Sequence, residues 1–422
     1  MELPLIVLVA LLIVGFGLAA ERLQHWQVTA PLAFTAAGFL VGWRTDAGVA
    51  FDHEGIKLLA EVTLVLILFH DASQVRVSQL RHDAALPARL LLVGFPLTVL
   101  VGTGLTAWLL PAGGVWAALL IGAALAPTDA GLGAATVLNP AVPVRVRRTL
   151  NVESGLNDGL ATPVVIFAIV ALAGEEGLGP GVSVLSAARE LSLGLVVGIV
   201  LAWLGARLFR ASRSHRWSTA ESRSFAVLAL AILCWGAALL IEGNGFIAAF
   251  VGGLVFGSLV PHPDGEQDPE VFVERVSLLT GIGVWLLFGA VGVPLAIELF
   301  QWQYVVLAVL LLTVARAVPV ALSLLGSGLR WPTIAFLGWF GPRGLASLVF
   351  LLLAAEELQP EPPLADAAGV ITVTVLLSVV LHGVTASPLA TRYGAWAART
   401  EAPILRESAT EPRSRRWTLG PS

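Results

Sequence analysis

The chain has 422 residues, of which 57% are hydrophobic and only 13% are charged, with a net charge of −4. Its mean hydropathy is +0.85. This composition excludes a soluble globular protein and a nucleic-acid-binding protein. The single cysteine, Cys234, excludes an intrachain disulfide and a cysteine-based zinc site.

Apolar runs long enough to cross a bilayer recur along almost the whole chain. They predict an all-α polytopic membrane protein with about 13 transmembrane helices. The predicted spans are 3–20, 28–43, 56–70, 87–110, 114–137, 148–172, 186–209, 222–241, 244–260, 275–297, 302–325, 331–355 and 367–390.

Arginines are distributed unevenly over the loops between these spans. Most fall on the loops after odd-numbered spans and in the segment after span 13, whereas Arg44, Lys57 and Arg189 fall on the other side. The positive-inside rule therefore predicts an N-terminus outside the cell and a C-terminus in the cytoplasm.

The odd number of spans predicts an inverted repeat. Repeat 1 (about 3–172) and repeat 2 (about 222–390) would be joined by a linker helix at about 186–209, and they would have opposite orientations in the membrane. The transmembrane domain would cover 1–391. The segment 392–422 is predicted to be a short, Arg-rich, disordered cytoplasmic tail.

The fifth span of each repeat is interrupted near its middle. Span 5 contains Ala126-Pro-Thr-Asp-Ala-Gly131, and span 12 contains Phe340-Gly-Pro-Arg-Gly344. Each proline removes one backbone donor from a helix, so both spans are expected to break there. Matching breaks in corresponding spans indicate a binding site near the middle of the membrane.

Span 6 carries polar residues at helical spacing. Glu153 and Asn157 are four residues apart, as are Ser154 and Asp158, so they form two adjacent stripes on one face. An Asp at the centre of a membrane helix costs roughly 3 kcal/mol, which indicates a functional role. Oxygen ligands without a soft ligand favour a hard cation, and Asp158 is expected to hold either a proton or a cation.

These motifs together resemble the monovalent cation/proton antiporter family of the NhaP and NHE type. The resemblance rests on Pro-Thr-Asp129, Glu153-Ser-Gly-Leu-Asn-Asp158-Gly, Gly341-Pro-Arg343-Gly and His382-Gly-Val-Thr, and it covers 1–391. It implies the NhaA/NhaP-like antiporter fold of two inverted six-helix repeats with interrupted crossing helices. It also implies a homodimer in the inner membrane, with monovalent cations, protons and lipid as partners and no cofactor.

The resemblance also implies roles for individual residues. Asp158 resembles the ion and proton carrier, and Asn157 before it is typical of members that exchange one Na⁺ for one H⁺. Thr128, Asp129 and Ser154 match cation-site positions. The remaining matches are a structural ion pair between Glu153 and Arg343, a further buried arginine at Arg316, and Asp71 as an acidic residue lining the cytoplasmic funnel. Two departures are Ala130, where the family often has proline, and Phe69-His-Asp-Ala-Ser73 at the end of span 3.

Several alternatives remain open. Asp129 could be a helix cap instead of a ligand, Asp158 could have a purely structural role, and His382 is interpreted as a packing residue rather than a pH sensor. The transported cation could be K⁺ instead of Na⁺. The same oxygen cluster could also serve an uncoupled channel or sensor, or Arg343 could face an anionic solute. An enzyme is not predicted, because no nucleophile motif or phosphate-binding loop is present.

Overall fold

The computed structural model describes residues 3–26, 28–44, 53–75, 85–129, 131–133, 136, 139–175, 184–260, 269–359 and 362–400. Within these ranges all regular structure is helical. The helices are α1 Leu3–His25, α2 Ala30–Arg44, α3 His53–Ser73, α4 Ala85–Leu109, α5 Gly114–Ala124, α6 Val144–Glu175, α7 Val184–Ser214, α8 Ala220–Leu240, α9 Gly245–Leu259, α10 Glu270–Glu298, α11 Trp302–Ser323, α12 Trp331–Trp339, α13 Leu345–Glu357 and α14 Pro362–Arg399.

The helices follow the predicted spans closely. Each predicted span overlaps a helix, and span 12 is divided into α12 and α13. In the described part of the chain, eight helices are long and apolar enough to cross a membrane, and three more apolar helices are shorter. The all-α, multi-pass membrane fold is therefore confirmed, whereas the count of thirteen crossings stays a prediction.

The predicted tail differs in part from the structure. Helix α14 continues to Arg399, beyond the predicted start of the tail at 392. Three small, apolar residues continue the helical pattern past that point: Ala395, Ala397 and Ala398. Residues 401–422 lie outside the described part of the chain.

Glycines allow two pairs of helices to approach closely. A Cβ atom at Gly253 or Gly257 of α9 would lie 2.1 or 2.0 Å from a carbonyl oxygen of α3, and one at Gly38 or Gly42 of α2 would lie 2.1 or 2.2 Å from a carbonyl oxygen of α10. Such close packing through small residues is typical of membrane helices. The predicted inverted repeat matches span 2 (α2) to span 9 (α9) and span 3 (α3) to span 10 (α10). It therefore exchanges the α3–α9 pair with the α2–α10 pair.

Two chain breaks meet inside the helical bundle. Helix α5 ends at Ala124, and residues 127–129 are not helical; α12 ends at Trp339, and residues 340–344 are not helical before α13 begins. The N–H of Asp129 donates to the carbonyl of Pro342 over 2.7 Å. The breaks predicted from the prolines are thus present, and they touch each other.

Candidate ion-binding site

Asp129 joins the two broken helices. Its Oδ2 accepts the Leu345 N–H at the start of α13 over 3.0 Å, and its Oδ1 accepts the N–H groups of Gly131 and Leu132 over 2.7 and 3.2 Å. A carboxylate at a helix N-terminus satisfies donors that have no partner within the helix. Both oxygens are thus used by the backbone, which supports the capping alternative over direct contact with the ion.

Gly344 provides the space for this cap. A Cβ atom at this position would lie 2.1 Å from Asp129 Oδ2. A larger residue would therefore force the carboxylate away from the start of α13. This close approach explains why the last residue of the Gly-Pro-Arg-Gly motif, Gly344, is a glycine.

Arg343 supplies a positive charge to the break in the other helix. Its Nη1 donates to the carbonyl oxygens of Ala126 and Pro127, the latter over 2.9 Å, and the residue is 1% exposed. These carbonyls cannot find donors within α5, because the helix has ended. The guanidinium therefore stabilises the unwound segment that leads to Thr128.

The ion pair of Glu153 forms with a different arginine from the one predicted. Arg316 of α11 contacts both carboxylate oxygens of Glu153, with an Nη2 to Oε2 distance of 2.8 Å, and also donates to the Leu337 carbonyl over 3.3 Å. The prediction paired Glu153 with Arg343, whose Nη1 instead donates to the Ala126 and Pro127 carbonyls in the segment after α5.

Room for the Arg316 guanidinium comes from Gly341. A Cβ atom at Gly341 would lie 2.5 Å from Arg316 Nε and 3.0 Å from Thr128 Cγ2. The absence of a side chain at Gly341 lets Arg316 cross the break and reach α6. The break between α12 and α13 is therefore packed directly between Arg316 and Thr128.

Three side chains with oxygen atoms meet where α5 breaks beside α6. Thr128 Oγ1 lies 2.8 Å from Ser154 Oγ and accepts a hydrogen bond from Asn157 Nδ2 over 2.7 Å. All three residues are buried. Asn157 Oδ1 is also buried and, among the described residues, accepts no hydrogen bond. A buried acceptor without a donor is unusual and suits a cation ligand.

Asp158 continues this cluster on α6. It follows Asn157 directly, lies one turn after Ser154, and is 6% exposed. Its backbone carbonyl accepts the Thr162 hydroxyl over 2.9 Å. The predicted stripe of Ser154 and Asp158 is therefore buried within the protein rather than facing lipid, as is Thr162 one turn further on.

The charged side chains of the breaks and of this part of α6 are nearly balanced. Three carboxylates, Asp129, Glu153 and Asp158, stand with two guanidinium groups, Arg316 and Arg343. Asp71 of α3 adds a further carboxylate beside this part of α6. At Asp158, either a proton or one monovalent cation offsets one negative charge, which is favourable in a medium where unbalanced charge is costly.

Asp71 lies on α3, on the side that faces α6. Its backbone oxygen is 3.4 Å, and its Cβ 3.7 Å, from the position of a Cβ at Gly155, one residue after Ser154. The side chain is 8% exposed. Its location next to the α6 cluster is established here, whereas its role in lining a funnel stays a prediction.

Two residues of α14 contact the break more closely than the sequence interpretation expected. Ser378 accepts the Arg343 N–H over 2.6 Å, and His382 Nε2 lies 3.0 Å from the Trp339 carbonyl oxygen. Ser378 was not singled out, and His382 was interpreted as a packing residue. The sequence signal that could have identified them is that Ser378 and His382 are four residues apart, and so lie on the same face of a buried helix.

The family model for the transmembrane sodium/hydrogen exchanger matches residues 7–392. Among solved structures, the sodium proton antiporter MjNhaP1 from Methanocaldococcus jannaschii has a TM-score of 0.75 and 20% identity, with 93% of this chain and 100% of that chain covered. At this identity the structural match establishes the shared fold.

Relatives named as K(+)/H(+) antiporters and relatives named as Na(+)/H(+) antiporters are similar to this chain over much of its length. The K(+)/H(+) antiporter NhaP2 of Shewanella oneidensis is 27% identical over 75% of this chain and 55% of its own length. The K(+)/H(+) antiporter NhaP of Alkalimonas amylolytica is 28% identical over 85% and 61%. A Na(+)/H(+) antiporter of Schizosaccharomyces pombe is 27% identical over 79% and 77%. The chain thus spans about half the length of the bacterial NhaP2 relative. The family match, the shared fold and the buried oxygen cluster agree, and the chain belongs to the sodium/hydrogen exchanger family.

Proposed function

We propose that this protein is a secondary active antiporter that exchanges a monovalent cation for H⁺ across the membrane by alternating access. The observation that carries the proposal is the buried oxygen cluster of Thr128, Ser154 and Asn157 beside Asp158. Membership of the sodium/hydrogen exchanger family supports it.

Asp158 is the shared carrier in this proposal. When it is ionised, it attracts the cation, while Thr128, Ser154 and the free acceptor of Asn157 replace part of the hydration shell. When it is protonated, the charge that the cation needs is gone. One site can therefore hold a proton or a cation but not both at once, which couples the two fluxes.

The exchange in this proposal is electroneutral, one cation for one proton. Asp158 takes up a single positive charge in either loaded form, and Asn157 before it is neutral. Glu153 and Asp129 are assigned structural roles, since an arginine binds the first and backbone N–H groups bind the second.

Na⁺ is the cation that we propose first, and K⁺ is the alternative. The names of the relatives support both, because they include Na(+)/H(+) and K(+)/H(+) antiporters. We also propose a homodimer in the inner membrane, with the N-terminus outside and the C-terminus in the cytoplasm, from the family resemblance and the arginine distribution.

The test is transport by the purified full chain in liposomes that contain a pH-sensitive dye. Gradients of Na⁺, Li⁺ and K⁺ are imposed in turn, with and without a clamped membrane potential. We expect cation-driven proton movement that Asp158→Asn abolishes while the variant still inserts and elutes as a folded protein. An uncoupled channel would give cation flux without proton counterflow, and normal transport by Asp158→Asn would refute the assignment of the carrier.

A further inference from the structure

The break between α12 and α13 removes one particular helical hydrogen bond. In a continuous α-helix the Arg343 N–H would donate to the Trp339 carbonyl, four residues earlier. Here the Arg343 N–H donates to Ser378 Oγ over 2.6 Å, and the Trp339 carbonyl oxygen lies 3.0 Å from His382 Nε2. The Trp339 carbonyl also accepts the Gly341 N–H over 2.9 Å. Side chains of α14 therefore contact both polar groups that the break separates.

The two side chains also contact each other. Ser378 and His382 are one helical turn apart, and Ser378 Oγ lies 3.3 Å from His382 Nδ1. His382 Nδ1 also lies 3.0 Å from the Ser378 backbone carbonyl oxygen, so both ring nitrogens of His382 face a carbonyl. A neutral imidazole has one N–H and donates to one of these two carbonyls at a time. Ser378 and His382 thus connect the Arg343 N–H to the Trp339 carbonyl across the break.

A third contact on the same face of α14 holds the end of α12. The indole Nε1 of Trp339 donates to Thr385 Oγ1 over 3.1 Å, and the rings of Trp339 and His382 have centroids 5.4 Å apart. Ser378 is fully buried and His382 is 2% exposed, so water does not compete for these bonds. Buried polar contacts of this kind give the break a defined geometry.

The α12–α13 break, held by α14 in this way, in turn holds the break after α5. The backbone of Pro342 accepts the Asp129 N–H over 2.7 Å, and the Arg343 side chain binds the Ala126 and Pro127 carbonyls. Thr128 lies between these contacts and presents its hydroxyl to Ser154 and Asn157. The position of the Thr128 oxygen therefore depends on where residues 342 and 343 are held.

We propose that Ser378 and His382 are positioning residues of the cation site, which bridge the Arg343 N–H and the Trp339 carbonyl across the break and thereby fix the Thr128 oxygen. The proposal rests on the proposed antiport function. It assigns to α14 an effect on cation affinity and selectivity, although neither residue belongs to the oxygen cluster itself.

The experiment compares Ser378→Ala with a matched control one turn away. Thr374→Val also removes a hydroxyl from a fully buried position of α14, but that hydroxyl bonds within its own helix, to the Val370 carbonyl over 2.6 Å. Apparent KM values for Na⁺, Li⁺ and K⁺ and the maximal rate per folded protein are measured in liposomes. For Ser378→Ala we expect the apparent KM to rise about tenfold and the order or ratio of the three cations to change.

The conservative variants give the second arm. Ser378→Thr keeps a hydroxyl and should retain the KM ratios of the unmodified chain, and His382→Gln keeps an N–H donor for Trp339 and should transport better than His382→Leu. If Ser378→Ala does not fold, Ser378→Thr and the two His382 variants carry the test. A residue that serves stability alone would lower the amount of folded protein without changing the ratios.

Two outcomes overturn the proposal. In the first, the ratios of apparent KM among the three cations are the same for Ser378→Ala as for Thr374→Val. In the second, His382→Gln transports no better than His382→Leu. These differ from a failure of the proposed function. In that case the unmodified chain itself would drive no proton movement with any of the three cations.

Discussion

Glu153 and Arg316 are 163 residues apart in the chain and form a buried two-point ion pair between α6 and α11, with an Nη2 to Oε2 distance of 2.8 Å. Their side chains are 3% and 4% exposed. The pair fixes α6, which carries Asp158, to α11, whose Arg316 side chain passes Gly341 of the α12–α13 break. In the proposed mechanism this pair orients the cation site and is not a ligand of the transported ion.

Removing one member of this pair should be strongly destabilising. Glu153→Gln leaves the Arg316 charge buried without compensation, and loss of one partner of a buried pair typically costs about 3–5 kcal/mol. The midpoint of thermal unfolding in detergent, followed by size-exclusion chromatography, measures this cost.

The exposed pair of Arg189 and Glu242 provides the control. Their atoms lie 3.0 Å apart, but the side chains are 65% and 76% exposed. Glu242→Gln should change stability by less than about 1 kcal/mol, because exposed pairs contribute little. Equal effects of the two substitutions would contradict the structural role of Glu153.

Thr128→Val should weaken cation binding. The substitution keeps the shape of the side chain but removes the oxygen that Asn157 and Ser154 contact. We expect the apparent KM for the cation to rise by about tenfold or more, since a lost ligand oxygen also leaves the Asn157 amide without its acceptor.

Thr106→Val is the matched control for this loss of a hydroxyl. Thr106 is 1% exposed on α4, and its hydroxyl bonds to the Gly102 carbonyl of the same helix over 2.8 Å. Its KM should stay at the value of the unmodified chain. A normal KM for Thr128→Val would remove Thr128 from the proposed site.

Asn157→Asp should make the exchange sensitive to the membrane potential. The substitution adds a second carboxylate beside Asp158, so the site can take up one more positive charge. Moving one net charge across the membrane couples to the potential by about 2.3 kcal/mol per 100 mV. Transport rates at several clamped potentials measure the effect, with the unmodified chain as the insensitive reference. A potential-dependent rate in the unmodified chain would contradict electroneutral exchange.

Lowering the pH should weaken the apparent affinity for the cation. Protonation of Asp158 removes the negative charge that the cation needs, so a proton competes directly with it. The apparent KM should rise as the pH falls, up to about tenfold per pH unit, while the maximal rate at saturating cation recovers. Initial rates over a matrix of pH and cation concentration test this competition. A maximal rate that falls at constant KM would indicate a proton site separate from the cation site.

Gly344→Ala should disrupt the joint between the two breaks. The added Cβ would lie 2.1 Å from Asp129 Oδ2, so the cap on α13 would have to move. Overpacking of this kind typically costs about 1–3 kcal/mol. We expect a lower unfolding midpoint and little transport. Gly104→Ala, where the structure leaves open space within 4 Å, should behave like the unmodified chain.

The sequence by itself predicted the multi-pass helical fold, both chain breaks and the buried face of α6. Apolar length predicts membrane helices, because the bilayer leaves few alternatives for the backbone. Pro127 and Pro342 predict the breaks, because proline lacks the helical donor. The spacing of Ser154 and Asp158 predicts one face, because the helical period is fixed. All of these features depend on local chemistry.

Only the tertiary structure decided which groups meet across the breaks. It selected Arg316 instead of Arg343 as the partner of Glu153, because Gly341 leaves room for one guanidinium while the carbonyls after α5 bind the other. It also placed Asp129 at the start of α13. Residue type and spacing do not tell which of two buried arginines binds a given carboxylate. Their partners are set by distances between helices that are far apart in the chain.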